Sequence, residues 1–156
     1  MDASLKIQEL YDLDFVEWCE TTASQLKARN FEQLDLDNLI EEIEGLTKHD
    51  RRELRNRLTV LLAHLLKRIY IDSPEKFHGW ELTIREQRRQ IQDLLQDSPS
   101  LKPYFDEVFN TAYQNALDDV CFEYQQTEFP DTWKFDLEPS SLLFKSYWQA
   151  NSTSLE

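Results

Sequence analysis

Turn-formers are scarce in this sequence: it holds two glycines and five prolines in 156 residues. A strand-rich domain of that length needs many tight turns, and glycine and proline are the residues that supply them. Their scarcity argues against a sandwich or barrel and for long helices. Two glycines also leave no room for a Gly-rich phosphate loop, and no GxSxG nucleophile elbow is present. Cysteine is equally sparse: Cys19 and Cys121 lie far apart without CxxC spacing, so both are expected as reduced, packed thiols. Histidines at 49, 64 and 78 show no HxxxH pairing, as zinc would favour. A di-metal bundle needs two Glu-x-x-His pairs, and one is present, Glu75 to His78. No metal and no cofactor are expected.

A long hydrophobic run is missing too. The longest, Val60 to Leu66, contains His64 and is followed by Lys67 and Arg68, well short of the roughly 20 apolar residues a membrane span requires. The N-terminal MDASLKIQELYD has neither the basic nor the apolar region of a signal peptide. The expectation is a cytoplasmic protein with no membrane partner.

What the chain does have is charge and apolar periodicity. Hydrophobic residues make up 40% and charged residues 30%, with a net charge of −13. The sign is segregated: residues 1–47 carry −9, residues 48–89 carry +5 and residues 90–156 carry −9. Acidic flanks of this kind are expected to fold around the basic belt and neutralise it.

The most organised stretch is Leu58 to Ile71. Leu58, Leu61, Leu62, Leu65 and Ile69 recur at helical spacing while Val60, His64 and Ile71 fall on another side, the pattern of a helix buried on several faces. Before it, Asp14 and Glu17 predict the cap of a first helix, Leu13 is placed to staple onto Trp18, and Phe15, Trp18, Cys19, Ala23 and Leu26 share a face. Phe31, Leu34 and Leu36 are expected to tuck under the bundle. Asp37 is the expected cap of the central helix, which runs from Asn38 to Ile71 with a bend or short break left open near Gly45 to Asp50. Ser73-Pro74 starts a third helix, carrying Phe77, Trp80, Ile84, Ile91 and Leu95, that ends at Asp97. A fourth helix covers Leu101 to Gln126, and a short one Pro139 to Trp148. The aromatics from Phe122 to Trp148 are expected to dock on the bundle. The predicted fold is all-α: a bundle of four main helices with a long central helix and a short docked C-terminal helix. Residues 1–148 form a single domain and 149–156 a frayed tail, whose closing Leu155-Glu156 looks like the start of a cloning scar.

Polar residues that project into the apolar stripes are the candidate site. If the central helix is unbroken, Glu44, Arg51 and Arg55 fall on the Leu58 face, and Gln87 and Arg88 interrupt the third stripe. Glu44, His64 and Arg88 would make a general acid/base or anion site, with the carboxylate orienting the imidazole and the guanidinium holding the anion. Glu41, Trp80, Gln87, Arg51 and Arg55 are the accompanying binding candidates. The same residues read equally as solvated ends, internal ion pairs and a hydrogen-bonded core histidine.

These intruding residues also carry a resemblance. Asn38-Leu39-Ile40-Glu41-Glu42-Ile43-Glu44, His64-Leu65-Leu66-Lys67, Trp80 with Thr83-Ile84, Gln87-Arg88 and Ile91, Ser98-Pro99-Ser100-Leu101, and Ala112-Tyr113 with Ala116 occur in that order. Together, over about Tyr11 to Pro130, they resemble the bacterial family called domain of unknown function twenty-nine. The resemblance implies a single-domain, all-helical cytoplasmic protein without assigned activity and transfers no catalytic residues. After Phe129-Pro130 the family tends to continue with a Cys-Pro pair, where this chain has Trp133 and Lys134.

Three functional expectations follow. The first is a non-enzymatic interaction module that binds a protein partner or itself. The second is an enzyme or anion-binding protein with a polar site at Glu44, His64, Trp80 and Arg88. The third is nucleic-acid binding through Arg51, Arg52, Arg55, Arg85 and Arg89 of the belt at 48–89, which an isoelectric point near 4.6 disfavours.

Overall fold

The structure, a computed structural model, describes residues 3–148, with side chains from Ile7 onward. The tail expected at 149–156, with its terminal Leu-Glu, lies outside the described residues. Among them are six α-helices and no strand: α1 (Ala3–Leu13), α2 (Phe15–Lys27), α3 (Leu36–Tyr70), α4 (Pro74–Asp97), α5 (Lys102–Glu123) and α6 (Pro139–Phe144). The all-helical class is as the scarcity of turn residues predicts. α3 is a single element of 35 residues, with no break at Gly45 to Asp50. The helix α1 was not anticipated. The chain divides into two compact units, Met1–His49 and Asp50–Glu156, taken here in turn.

The first unit is organised by Trp18. Its ring is buried, Tyr11 meets it edge-on with centroids 5.0 Å apart and Phe15 stacks on it at 5.8 Å. The indole N–H donates to the Asp35 carboxylate at 3.2 Å, and the Asn38 side-chain amide donates to the same oxygen at 2.7 Å. Asp35 is thereby buried with two donors in place, as a buried carboxylate requires. α3 therefore starts at Leu36, where the Asp35 carbonyl accepts from the Leu39 N–H at 3.0 Å, and Asp37 sits in the first turn instead of capping it. The Asp14 cap of α2 is present, its side chain accepting from the Glu17 N–H at 3.1 Å.

α2 ends in a Schellman arrangement: the Asn30 N–H reaches the Gln25 carbonyl and the Arg29 N–H that of Leu26. The left-handed position is held by Arg29, at φ 61°, where glycine would be unstrained. Three expectations fail in this unit. Leu13 does not staple onto Trp18 but is exposed, because Tyr11 and Phe15 occupy that ring's faces. Phe31 and Leu36 are exposed instead of tucked, with Leu34 half-buried. Cys19 is an exposed free thiol.

The second unit holds the main core. The latter part of α3 supplies Leu54, Leu58, Leu61, Leu62, Leu65 and Leu66, all fully inaccessible; two faces of the helix are covered, as its wide apolar stripe dictates. α4, with Pro74 at its first turn, adds Ile84, Ile91 and Leu95. α5 adds Phe105, Val108, Phe109, Tyr113 and Val120, with Ala112 and Ala116 fully buried among them. Leu142 and Leu143 of α6 close the core, and α6 packs against α4. Between α5 and α6, Trp133 lies edge-on to Phe109, Tyr113 and Tyr147. The Tyr113 hydroxyl donates to the Pro130 carbonyl at 2.6 Å, and burial pushes its pKa up to about 12.

Here too the structure trims the expectations. α5 starts at Lys102 and stops at Glu123, α6 stops at Phe144, and Phe122 and Phe144 are exposed. Cys121 is an exposed free thiol on the outer side of α5.

Candidate functional site

The polar constellation is built on α3 and α4. His64 is half-buried. Its Nδ1 lies 2.8 Å from the Val60 carbonyl one turn earlier, where a protonated Nδ1 donates to it. Burial lowers its pKa, the nearby Lys67 adds to that, and the Val60 carbonyl and the Glu123 carboxylate oppose it. Lys67, nearly buried itself, reaches Glu123 at 3.1 Å. Trp80 belongs to the interior, edge-on to Tyr124 at 6.3 Å and beside Phe77 at 6.1 Å.

Arg88 is committed differently. Its Nε donates to the Leu142 carbonyl at 2.8 Å and its Nη2 to the Lys145 carbonyl at 2.5 Å. The C-terminal carbonyls of α6 have no helical partners of their own, so Arg88 both caps that short helix and ties it to α4. Among the described residues no hydrogen bond, ion pair or ring contact joins His64, Trp80 and Arg88 to one another. Gln87 instead accepts from the Arg57 guanidinium at 3.5 Å. Glu41 and Glu44 belong to the first unit, and both are exposed.

Part of the basic belt is satisfied in a way that charge counting did not foresee. Arg51 stacks over the Tyr104 ring at 4.8 Å, and Arg68 over Phe77 at 3.7 Å and Trp148 at 4.9 Å. Arg57 pairs with Glu53 at 3.0 Å, Arg68 with Glu81 at 3.8 Å and Arg89 with Glu86, all partners within the belt. Lys67–Glu123 is the pair that reaches the C-terminal acidic flank. Those belt cations that have partners are therefore stabilised mainly by the belt's own glutamates and by aromatic faces, and Arg52, Arg55, Arg85 and Arg88 have no ion pair among the described residues. Arg52 and Arg85 are exposed and Arg55 is half-buried.

Sequence reasoning passed over a different feature as a possible site. The face of α2 carrying Phe15, Trp18, Cys19, Ala23 and Leu26 meets Leu39, Ile43 and Leu46 of α3 around an open groove of about 310 Å³, with Glu42 as its one charged lining residue. The Tyr11 hydroxyl donates to the Glu42 carboxylate, a bond that raises the tyrosine pKa to about 12. Phe15, Leu26, Ile43 and Leu46 are exposed along this groove, and Leu13, Val16, Phe31, Leu36 and Ile40 are exposed elsewhere in the same unit. The signal was present as Ile40, Ile43 and Leu46 on the acidic half of α3: apolar residues at helical spacing that stay exposed although α2 lies beside Ile43 and Leu46.

The order of elements makes this an all-helical protein among the described residues. The chain belongs to the family described as domain of unknown function DUF29, whose model matches residues 10–148. The match continues past Pro130 and takes in α6. No curated protein and no solved structure is matched. No helix among the described residues is long and apolar enough to cross a membrane.

Proposed function

We propose that this protein is a non-enzymatic interaction module whose first unit docks a basic amphipathic helix supplied by a partner protein. The observation that carries the reading is the apolar groove between α2 and the start of α3. Among the described residues nine large apolar side chains are exposed in the first unit, four of them along the groove, and an exposed apolar patch marks an interaction surface. A groove flanked by two helices accepts a third helix through apolar side chains spaced i, i+3, i+4 and i+7.

Charge selects the occupant. Residues 1–49 hold twelve Asp/Glu against four Lys/Arg. A second copy presenting the same face would bring two acidic surfaces together, whereas a helix with lysines or arginines beside its apolar stripe meets complementary charge. The protein is placed in the cytoplasm on this reading, where its two exposed thiols stay reduced.

The test uses the full chain carrying Cys121→Ser, so that Cys19 is its sole thiol and reports on the groove. A helical peptide with a leucine stripe and lysines elsewhere should protect Cys19 from alkylation, and the same stripe with glutamates should not. Ile43→Glu should abolish that protection while leaving the helical circular dichroism intact. Equal protection by both peptides, or by neither, defeats the reading. A dimer of the protein alone that Ile43→Glu dissociates defeats it in favour of self-association.

A further inference from the structure

The second unit carries a separate groove of about 430 Å³ along α4, beside α6 and the residues that follow it. Its wall includes Arg85, Arg88 and Arg89, and Ile84, Phe144 and Trp148 face the same space. The three arginines stand at i, i+3 and i+4, so one side of α4 brings their guanidinium groups together.

Their positive charge is poorly compensated. Arg88 spends two of its five N–H groups on the carbonyls of Leu142 and Lys145 and has no carboxylate partner among the described residues. Burial draws its pKa below the usual arginine value, the mark of a desolvated cation without a counter-charge. Arg85 is exposed and has neither an ion pair nor a hydrogen bond among the described residues. Arg89 is exposed and has the half-buried Glu86 one turn away, a pair of the weak surface kind. Glu81, the one carboxylate in the groove lining, lies 3.8 Å from Arg68 and is that residue's partner. A cationic groove persists in a protein of net charge −13. Across it, the exposed Phe144 ring and the half-buried Trp148 ring offer flat apolar surface.

We propose that this groove binds a small aromatic phosphate of mononucleotide size, its phosphate held by Arg85, Arg88 and Arg89 and its ring laid against Phe144 and Trp148. Several guanidinium groups lining one groove suit the multiple acceptor oxygens of a phosphate better than one carboxylate. The volume falls within the few hundred Å³ usual for a site of this size. The proposed role is binding, because Glu81, the one lining residue able to act as a base, is held by Arg68. It stands independently of the docking groove in the first unit.

Calorimetric titration of the full chain with adenosine monophosphate, adenosine and inorganic phosphate tests this. The monophosphate should bind saturably and about tenfold or more tighter than either half alone, with affinity falling as salt rises. Arg85→Ala with Arg89→Ala should weaken it about tenfold or more; Phe144→Ala should weaken the monophosphate and leave inorganic phosphate unchanged. Arg88 is spared in these variants because it also holds α6, and near-ultraviolet circular dichroism confirms that each variant keeps its fold. Absence of saturable monophosphate binding overturns the proposal, as does unchanged affinity in the folded double variant. Inorganic phosphate binding as tightly as the monophosphate overturns it by removing the ring from the site. An oligonucleotide that binds where the monophosphate does not overturns it in favour of an extended basic surface.

Discussion

The two units use the same long helix and bury it differently. In the second, six leucines of α3 are wholly inaccessible and meet apolar residues of α4, α5 and α6. In the first, Leu36, Ile40, Ile43 and Leu46 of that helix are exposed, and Ile7 and Trp18 are the large apolar side chains described as buried. Apolar residues recur at helical spacing in both stretches of α3, sparsely in the first and densely in the second, and only in the second are most of them covered. The first unit is therefore stabilised by one polar-anchored tryptophan, the second by a packed apolar core, and the unit short of covering surface is the one with apolar area to offer a partner.

The largest effects should come from the cores. Leu65→Ala is expected to cost about 3 kcal/mol, the usual price of a cavity in a packed interior, whereas Leu46→Ala should change stability by less than about 0.5 kcal/mol. Urea denaturation of both variants measures the gap, and equal losses would erase the distinction between the units. Arg88→Met should cost about 2 kcal/mol by removing two hydrogen bonds from a charged donor. Near-ultraviolet circular dichroism, sensitive to the Trp133 and Tyr147 cluster, should weaken more than the helical signal.

In the first unit the expected sign reverses at one position. Arg29→Gly should stabilise by about 1 kcal/mol, because the left-handed backbone at that residue is costly for any side chain. A loss of stability in thermal melts would show that the Arg29 side chain earns its place through contacts. The smallest effect concerns His64. Its folded-state pKa lies below 6.5, so the unfolded chain binds the proton more readily. The stability linked to His64 is then fully present above pH 6.5 and is lost as pH falls through the interval down to the folded value. A His64→Gln variant should show a shallower decline over that interval, and an identical pH profile would remove the effect of its burial.

The helical class, the α3 stripe and the limits of α4 were legible because each is local: periodicity, a proline at the first turn, a cap three residues from its target. Arg88 was recognised as a polar intruder in an apolar stripe, but its role was not, since its acceptors are backbone carbonyls some 54 and 57 positions away that no side-chain pattern announces. The basic belt was misjudged for a related reason. Net charge says how much must be compensated, while ring stacking by Arg51 and Arg68 depends on where Tyr104 and Phe77 come to rest. The apolar face of α2 was identified correctly as a face; periodicity shows which residues share a side of a helix, not whether anything covers it.

The unbroken course of α3 bears on how this protein can be divided. The boundary between the units, His49 to Asp50, falls inside a continuous run of helical hydrogen bonds. Cutting the chain there would leave up to about four carbonyls orphaned on one fragment and as many N–H groups on the other. Each half expressed alone would therefore start with a damaged helix end, and a fragment meant to isolate the docking groove would need to carry α3 well past Asp50.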